Sequence, residues 1–198
     1  MDRQCSLQWS IGEEATVNIS INIDGNGVSK INTGHRTLDH FIDSFGRYGR
    51  FDITLNLSGD GISHHIFEQS GVALGLAIGS CLGDRQLLKQ LARSTVLMDE
   101  AIAEIALDIY QSPGRFVIPS TFIQQHDQHD GVEASCYLHF LEAMVVNAKM
   151  NLHVINLDAV DIHHRLEVLF KAISVGIYEA SRIDSNPIMR LHRKVDFG

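Results

Sequence analysis

The pattern His-His-x-x-Glu occurs twice, at His64-His65-Ile66-Phe67-Glu68 and at His163-His164-Arg165-Leu166-Glu167, and the copies lie 99 residues apart. The same offset carries Leu38-Asp39-His40-Phe41 onto Tyr137-Leu138-His139-Phe140, so a lone His precedes each pair by 24 residues. Under this gap-free shift Asp43 also meets Glu142, Ala73 meets Ala172 and Ile78 meets Ile177. Packing alone repeats apolar residues, not histidines. The chain is therefore expected to be one metal-binding half, duplicated. Residues 1–94 and 95–198 are expected to form the two halves of a single compact unit.

The spacing suits a metal if each motif opens a helix. Glu68 then follows His64 by four residues and His65 by three, separations that share a helical face. Adjacent helical residues point about 100° apart, so His64 and His65 cannot easily hold one ion. One is expected to join Glu68 on a nearby metal while the other reaches toward a second site, and the later copy behaves likewise. Imidazole and carboxylate without thiolate favour manganese, iron, zinc or nickel, and six-coordinate geometry with carboxylate favours manganese.

The remaining composition narrows the class. Of 198 residues 44% are hydrophobic and 20% charged, as in a soluble globular domain with a real core. A net charge of -8 with no basic stripe argues against nucleic acid as a partner. Cys5, Cys81 and Cys136 are widely spaced and form no Cys-x-x-Cys, as expected of thiols in a reducing compartment. The first residues carry no apolar signal segment, and no apolar run is long enough for a membrane span. A cytoplasmic protein is expected.

Hydrophobic periodicity places the elements. Residues 14–24 alternate as a strand, Asp24-Gly25-Asn26-Gly27 reads as a turn, and Val28 to Ile31 resume the alternation, so a hairpin is expected. Residues 37–48 have helical spacing and 51–57 alternate as a strand. Ile66 to Leu82 read as an apolar helix whose Gly71, Gly75 and Gly79 predict a close helix–helix approach. A short helix is expected over Gln86 to Ser94. In the second half, strands are expected over 102–109 and 151–157, an apolar stub over 116–118, and helices over 135–148 and 168–180. Residues 124–131 read as a polar loop whose role the sequence does not give, and histidines placed as His126 and His129 are more often loop decoration than ligands. Each half exposes its helices when alone. The halves should therefore pack helix to helix as an α+β fold, with four helices sandwiched between two mixed sheets.

The residues now singled out resemble imidazoleglycerol-phosphate dehydratases over nearly the whole chain. The resemblance is carried by Glu14 with Ile23-Asp24-Gly25, by Thr33-Gly34, and by Leu38-Asp39-His40-Phe41-Ile42-Asp43. Phe51-Asp52, the first His pair with Glu68, Met98-Asp99-Glu100, His139-Phe140, and the second His pair running into Leu169-Phe170-Lys171-Ala172 add to it. It implies a duplicated half-domain of the ribosomal protein S5 domain 2-like type, with four-stranded sheets. It implies loss of water from an imidazole phosphate in histidine biosynthesis, on two Mn2+ per active site. The implied metal ligands are His40, His64, His65, Glu68, His139, His163, His164 and Glu167. Glu14 is the implied acid/base residue, with Glu167 also catalytic, and Arg115, Arg193 and Lys194 are the nearest matches to the phosphate donors. The implied assembly is a 24-subunit shell built from trimers, with ligands shared between chains.

The chain departs from the family pattern mainly around the phosphate. Ile62-Ser63 stand where two Asp residues usually precede the first His pair, Tyr48-Gly49 replace a His-Gly, and Gln90 replaces an Arg, with Lys89 and Arg93 nearby. Arg holds phosphate bidentately where Gln and Lys do not. Two alternatives to the dehydratase therefore stay open at the level of sequence: a related lyase acting on another imidazole compound, and a non-catalytic metal-binding shell.

Overall fold

The structure, a computed structural model, describes residues 3–11, 15–110, 113–124 and 126–187. In the first half, β1 (Gln4–Ile11), β2 (Ala15–Asn22), β3 (Ser29–Asn32) and β4 (Asp52–Gly59) form a sheet in the order β1-β2-β4-β3. Its helices are α1 (Arg36–Gly49) and α2 (Ser63–Leu82). In the second half, β5 (Leu91–Met98), β6 (Ala101–Asp108), β7 (Arg115–Val117) and β10 (Asn151–Asp158) repeat that order as β5-β6-β10-β7. Between β7 and β10 come a two-stranded hairpin, β8 (Gln128–His129) with β9 (Val132–Glu133), and helix α3 (Ala134–Asn147); α4 (Ile162–Ala180) follows β10. Both four-stranded sheets are mixed, with β3 parallel to β4 and β7 parallel to β10. The expected α+β sandwich of four helices between two such sheets is what forms.

Alternation decides which face of each sheet is wet. Val17, Ile19 and Ile21 of β2 and Ala103, Ile105 and Leu107 of β6 are buried, while their neighbours stay partly exposed. The buried faces meet the helices, which pack α1 on α4 and α2 on α3, each pair drawn from opposite halves. Gly71 and Gly75 permit the second contact. A Cβ at either position would lie 2.4 Å from a carbonyl oxygen of α3, on Phe140 and Met144 respectively. The close approach expected from the glycine spacing is therefore real.

Three expectations fail locally. The expected hairpin after Asp24 does not form, because β3 crosses to pair in parallel with β4 rather than with β2. The sequence reading assigned no element to residues 4–11, which form β1 with Cys5, Leu7 and Trp9 packed on the core. The helix expected over Gln86 to Ser94 is instead a turn leading into β5. Leu87 and Leu91 are exposed, and left-handed φ values at Arg85 and Gln90 break any helix. The cause is tertiary. The buried Arg85 guanidinium donates to the carbonyls of Ala148, Lys149 and Ile109, and the Gln90 backbone N–H donates to the Ala180 carbonyl. Replacing Arg85 with Ala strands those buried carbonyls and should cost about 3 kcal/mol of unfolding free energy, read from urea midpoints at unchanged slope.

The duplication is exact in strand order but not in spacing. Residues 33–35 join β3 to α1, whereas residues 118–133 join β7 to α3. The offset between matching elements accordingly grows from 86 at β2 and β6 to 99 at α2 and α4. The extra segment carries the β8–β9 hairpin, so the stretch expected to be a polar loop, 124–131, contains β8 and the turn that leads into β9.

Candidate metal centre

The metal-type side chains come together across the halves. Helix α1 of the first half presents His40, and helix α4 of the second presents His163 and Glu167 one turn apart. Glu167 Oε2 lies 3.3 Å from His40 Nε2 and 3.2 Å from His163 Nε2, and the two imidazole rings stack at 5.6 Å. Among the described residues this is the one group of three His, Cys, Asp or Glu ligand atoms lying within 4.8 Å of one another. The spacing fits one ion. First-row metals hold N and O ligands at about 2.0–2.2 Å, which puts neighbouring ligand atoms about 3.0–3.5 Å apart.

Local sequence explains why these side chains are held. Asp161 caps α4 by accepting from the amides of His163 and His164. Asp39 accepts from the backbone and hydroxyl of Thr33, fixing the start of α1 one residue before His40. Glu167 is nearly buried, and its Oε1 receives Lys171 Nζ at 2.9 Å and Ser44 Oγ at 3.1 Å, leaving Oε2 turned to the imidazoles. Burial pushes the Glu167 carboxyl up, but Lys171, with help from His40, more than offsets it and holds the group at about 2. The carboxylate is therefore ionised throughout the working range. Lys171 itself is buried, against Met98 Sδ and over the Tyr48 ring.

A second group mirrors the first with the roles of the halves exchanged. His64 and Glu68 come from α2 and His139 from α3. His64 Nε2 is 3.8 Å from Glu68 Oε2, and the His64 and His139 rings meet edge to face at 5.1 Å. This group is looser and half exposed. In both motifs it is the first histidine that faces the glutamate. The second is anchored through Nδ1 to a different carboxylate, His65 by Asp60 at 2.7 Å and His164 by Glu100 at 2.8 Å, with Asp99 Oδ2 3.9 Å from His164 Nε2. Its hydrogen bond to Glu100 raises the His164 pKa, and the same bond helps hold Glu100 at about 2. Asp60 thus serves the first pair from two positions before Ile62-Ser63, where the sequence lacks the usual acids.

The expected site residues are not all brought together. Glu14, Arg193 and Lys194 lie outside the described residues. Arg115 is exposed at the start of β7, whose Phe116 and Val117 line a cleft with His139. Lys89 pairs with Glu179, about 18 Å along α4 from Glu167 at 1.5 Å per residue, and Arg93 pairs with Glu104. Gln90 is buried, with its amide on the Arg85 carbonyl. Sequence reasoning gave no role to Asp60, Glu100 or Lys171, although Glu100 and Lys171 sat inside stretches that carried the resemblance. It also left open the role of His129, whose Nε2 lies 3.0 Å from His163 Nδ1. The Asp130-Gly131 dipeptide beside it is the signal for a tight hairpin that could have placed it.

A family model described as imidazoleglycerol-phosphate dehydratase matches residues 33–177, well over half of the chain. The chain belongs to that family. A relative from Dehalococcoides mccartyi, named imidazoleglycerol-phosphate dehydratase, is 34% identical over 171 residues, covering 86% of this chain and 85% of the relative. One of the same name from Methanosarcina mazei is 33% identical over 180 residues, covering 89% and 91%. The solved imidazoleglycerol-phosphate dehydratase of Staphylococcus aureus superposes with a TM-score of 0.75 at 26% identity, covering 91% of this chain and 99% of that one. The Pyrococcus furiosus structure, at a TM-score of 0.76 and 20% identity, shares the fold. No described helix is long and apolar enough to cross a membrane.

Proposed function

We propose that this chain is a metal-dependent hydro-lyase of histidine biosynthesis that converts imidazoleglycerol phosphate to imidazoleacetol phosphate. One observation carries the reading. Each lone histidine meets the His-x-x-x-Glu of the opposite half, so the duplicated motif yields one compact three-ligand group at His40, His163 and Glu167 and a looser counterpart at His64, Glu68 and His139 rather than scattered surface histidines. The equal strand orders support two copies of one half-domain, with the boundary placed before β5 at Leu91 rather than at 94/95, which falls inside that strand.

The reaction breaks the C–O bond at the ring-attached carbon and the C–H bond at its neighbour. Water leaves, and the resulting enol rearranges to the ketone. Two Mn2+ ions bound by His40, His64, His65, Glu68, His139, His163, His164 and Glu167 would supply Lewis-acid polarisation of the substrate imidazole. The protein's own contribution is placement and charge. Lys171 and Ser44 hold one oxygen of Glu167 and so aim the other. Asp60 and Glu100 fix the ring planes of His65 and His164 through their Nδ1 atoms. Glu14 moves the proton between carbon and leaving hydroxyl, and Arg115, Arg193 and Lys194 hold the phosphate.

A motif whose first histidine meets its own glutamate while the second is held by another carboxylate suits ligands shared between chains. The proposed assembly is therefore a homo-oligomer, a 24-subunit shell built from trimers, working in the cytoplasm. Purified protein loaded with Mn2+ should release imidazoleacetol phosphate from imidazoleglycerol phosphate. Chelation should abolish turnover and reduce the particle to small oligomers, and added Mn2+ should restore both. Full metal occupancy without turnover would refute the dehydratase reading, and a monomer holding both ions would refute the shared site.

A further inference from the structure

The extra segment of the second half ends beside the His40–His163–Glu167 group, and nothing in the duplicated plan calls for it there. We infer that His129, carried on the β8–β9 hairpin, is a positioning residue that fixes the tautomer and ring plane of the metal-binding His163. The inference rests on the metal-centre reading above.

Metal binding at His163 Nε2 leaves one arrangement of protons. His163 Nε2 faces Glu167 Oε2 at 3.2 Å and the stacked His40 ring, so Nε2 is the atom offered to an ion. An imidazole that binds metal through Nε2 carries its hydrogen on Nδ1. That hydrogen points at His129 Nε2, 3.0 Å away, which must then accept it and keep its own hydrogen on Nδ1. Anchoring the distal nitrogen of a ligand histidine is the usual means of setting its orientation and basicity. His65 and His164 receive this service from carboxylates, and His163 receives it from a neutral ring.

His129 is itself held firmly. Its ring stacks parallel to Phe41 at 5.9 Å and touches Tyr137 at 5.8 Å. The hairpin turns through Asp130 and Gly131, both at positive φ, in the manner of a two-residue turn. Asp130 accepts from the Thr37 hydroxyl at the start of α1, tying the hairpin to the helix that carries His40.

Two substitutions separate positioning from packing. His129→Gln keeps an oxygen able to accept from His163 Nδ1 but loses the aromatic stack. His129→Phe keeps the stack on Phe41 but accepts nothing. Mn2+ affinity of the full assembly is read from the electron paramagnetic resonance signal of free Mn2+, and stability from thermal unfolding of metal-free protein. His129→Phe should weaken one of the two ions per chain by about 10- to 100-fold with little change in unfolding temperature. His129→Gln should bind both ions nearly as the wild type does. Equal loss in both variants, loss in the Gln variant alone, or wild-type affinity in the Phe variant would each overturn the inference while leaving the metal centre standing. Failure of the wild type to bind Mn2+ at all would overturn both.

Discussion

Replacing Glu167 with Gln should weaken Mn2+ binding by on the order of 100-fold or more and abolish turnover, because it removes the charge that faces both imidazoles. It should also destabilise the metal-free protein. Glu167 and Lys171 are both nearly buried and lie 2.9 Å apart. Removing one partner of such a pair leaves an uncompensated buried charge and costs about 3–5 kcal/mol. Met98 Sδ and the Tyr48 ring remain against the ammonium and soften the loss. The double substitution Glu167→Gln with Lys171→Met removes the stranded charge, so stability should largely return while metal binding does not. Urea unfolding and Mn2+ titration of the three proteins check this; a single variant as stable as the wild type would show that Lys171 does not depend on Glu167. The effect has a definite sign with pH. Glu167 sits at about 2 in the folded chain, against an ordinary 4.5. Its stabilisation is therefore fully present above about pH 4.5 and is lost as pH falls toward 2. The gap between wild type and Glu167→Gln should close over that window.

The second large effect lies between α2 and α3. Gly71→Ala and Gly75→Ala each drive a methyl to 2.4 Å from a carbonyl oxygen of α3. Backbone cannot swing aside as a side chain can, so the helices must part. Overpacking of this kind costs about 1–3 kcal/mol, and alanine's better helix propensity returns up to about 1 kcal/mol. The double variant should lose about 2–4 kcal/mol by denaturant unfolding if the two costs add. Gly79→Ala is the internal control, since its methyl would meet Ala148 at an ordinary 3.4 Å, and it should be neutral or slightly stabilising. Function should follow the packing. Gly71 sits one turn beyond Glu68, and α3 carries His139, so parting these helices should loosen the His64–Glu68–His139 group and lower metal stoichiometry.

The sequence by itself determined the duplication, the helices that carry the histidines, and the pairing logic of each motif. A four-residue spacing on a helix places His64 with Glu68 and His163 with Glu167 whatever the rest of the chain does. It also determined the close helix contact, since glycines on one face have little other use. Tertiary structure decided the rest. Whether Leu87 and Leu91 belong to a helix depended on Arg85, which spends its guanidinium on carbonyls far along the chain. β3 chose β4 over β2 because sheet pairing is settled by where a strand can hydrogen-bond, not by its own alternation. The crossing of His40 to α4 and of His139 to α2, the reach of Ser44 to Glu167, and the arrival of His129 at His163 all join residues from distant positions or opposite halves. Periodicity reports only which face of its own element a residue occupies; which distant element meets that face is fixed by packing the two halves together.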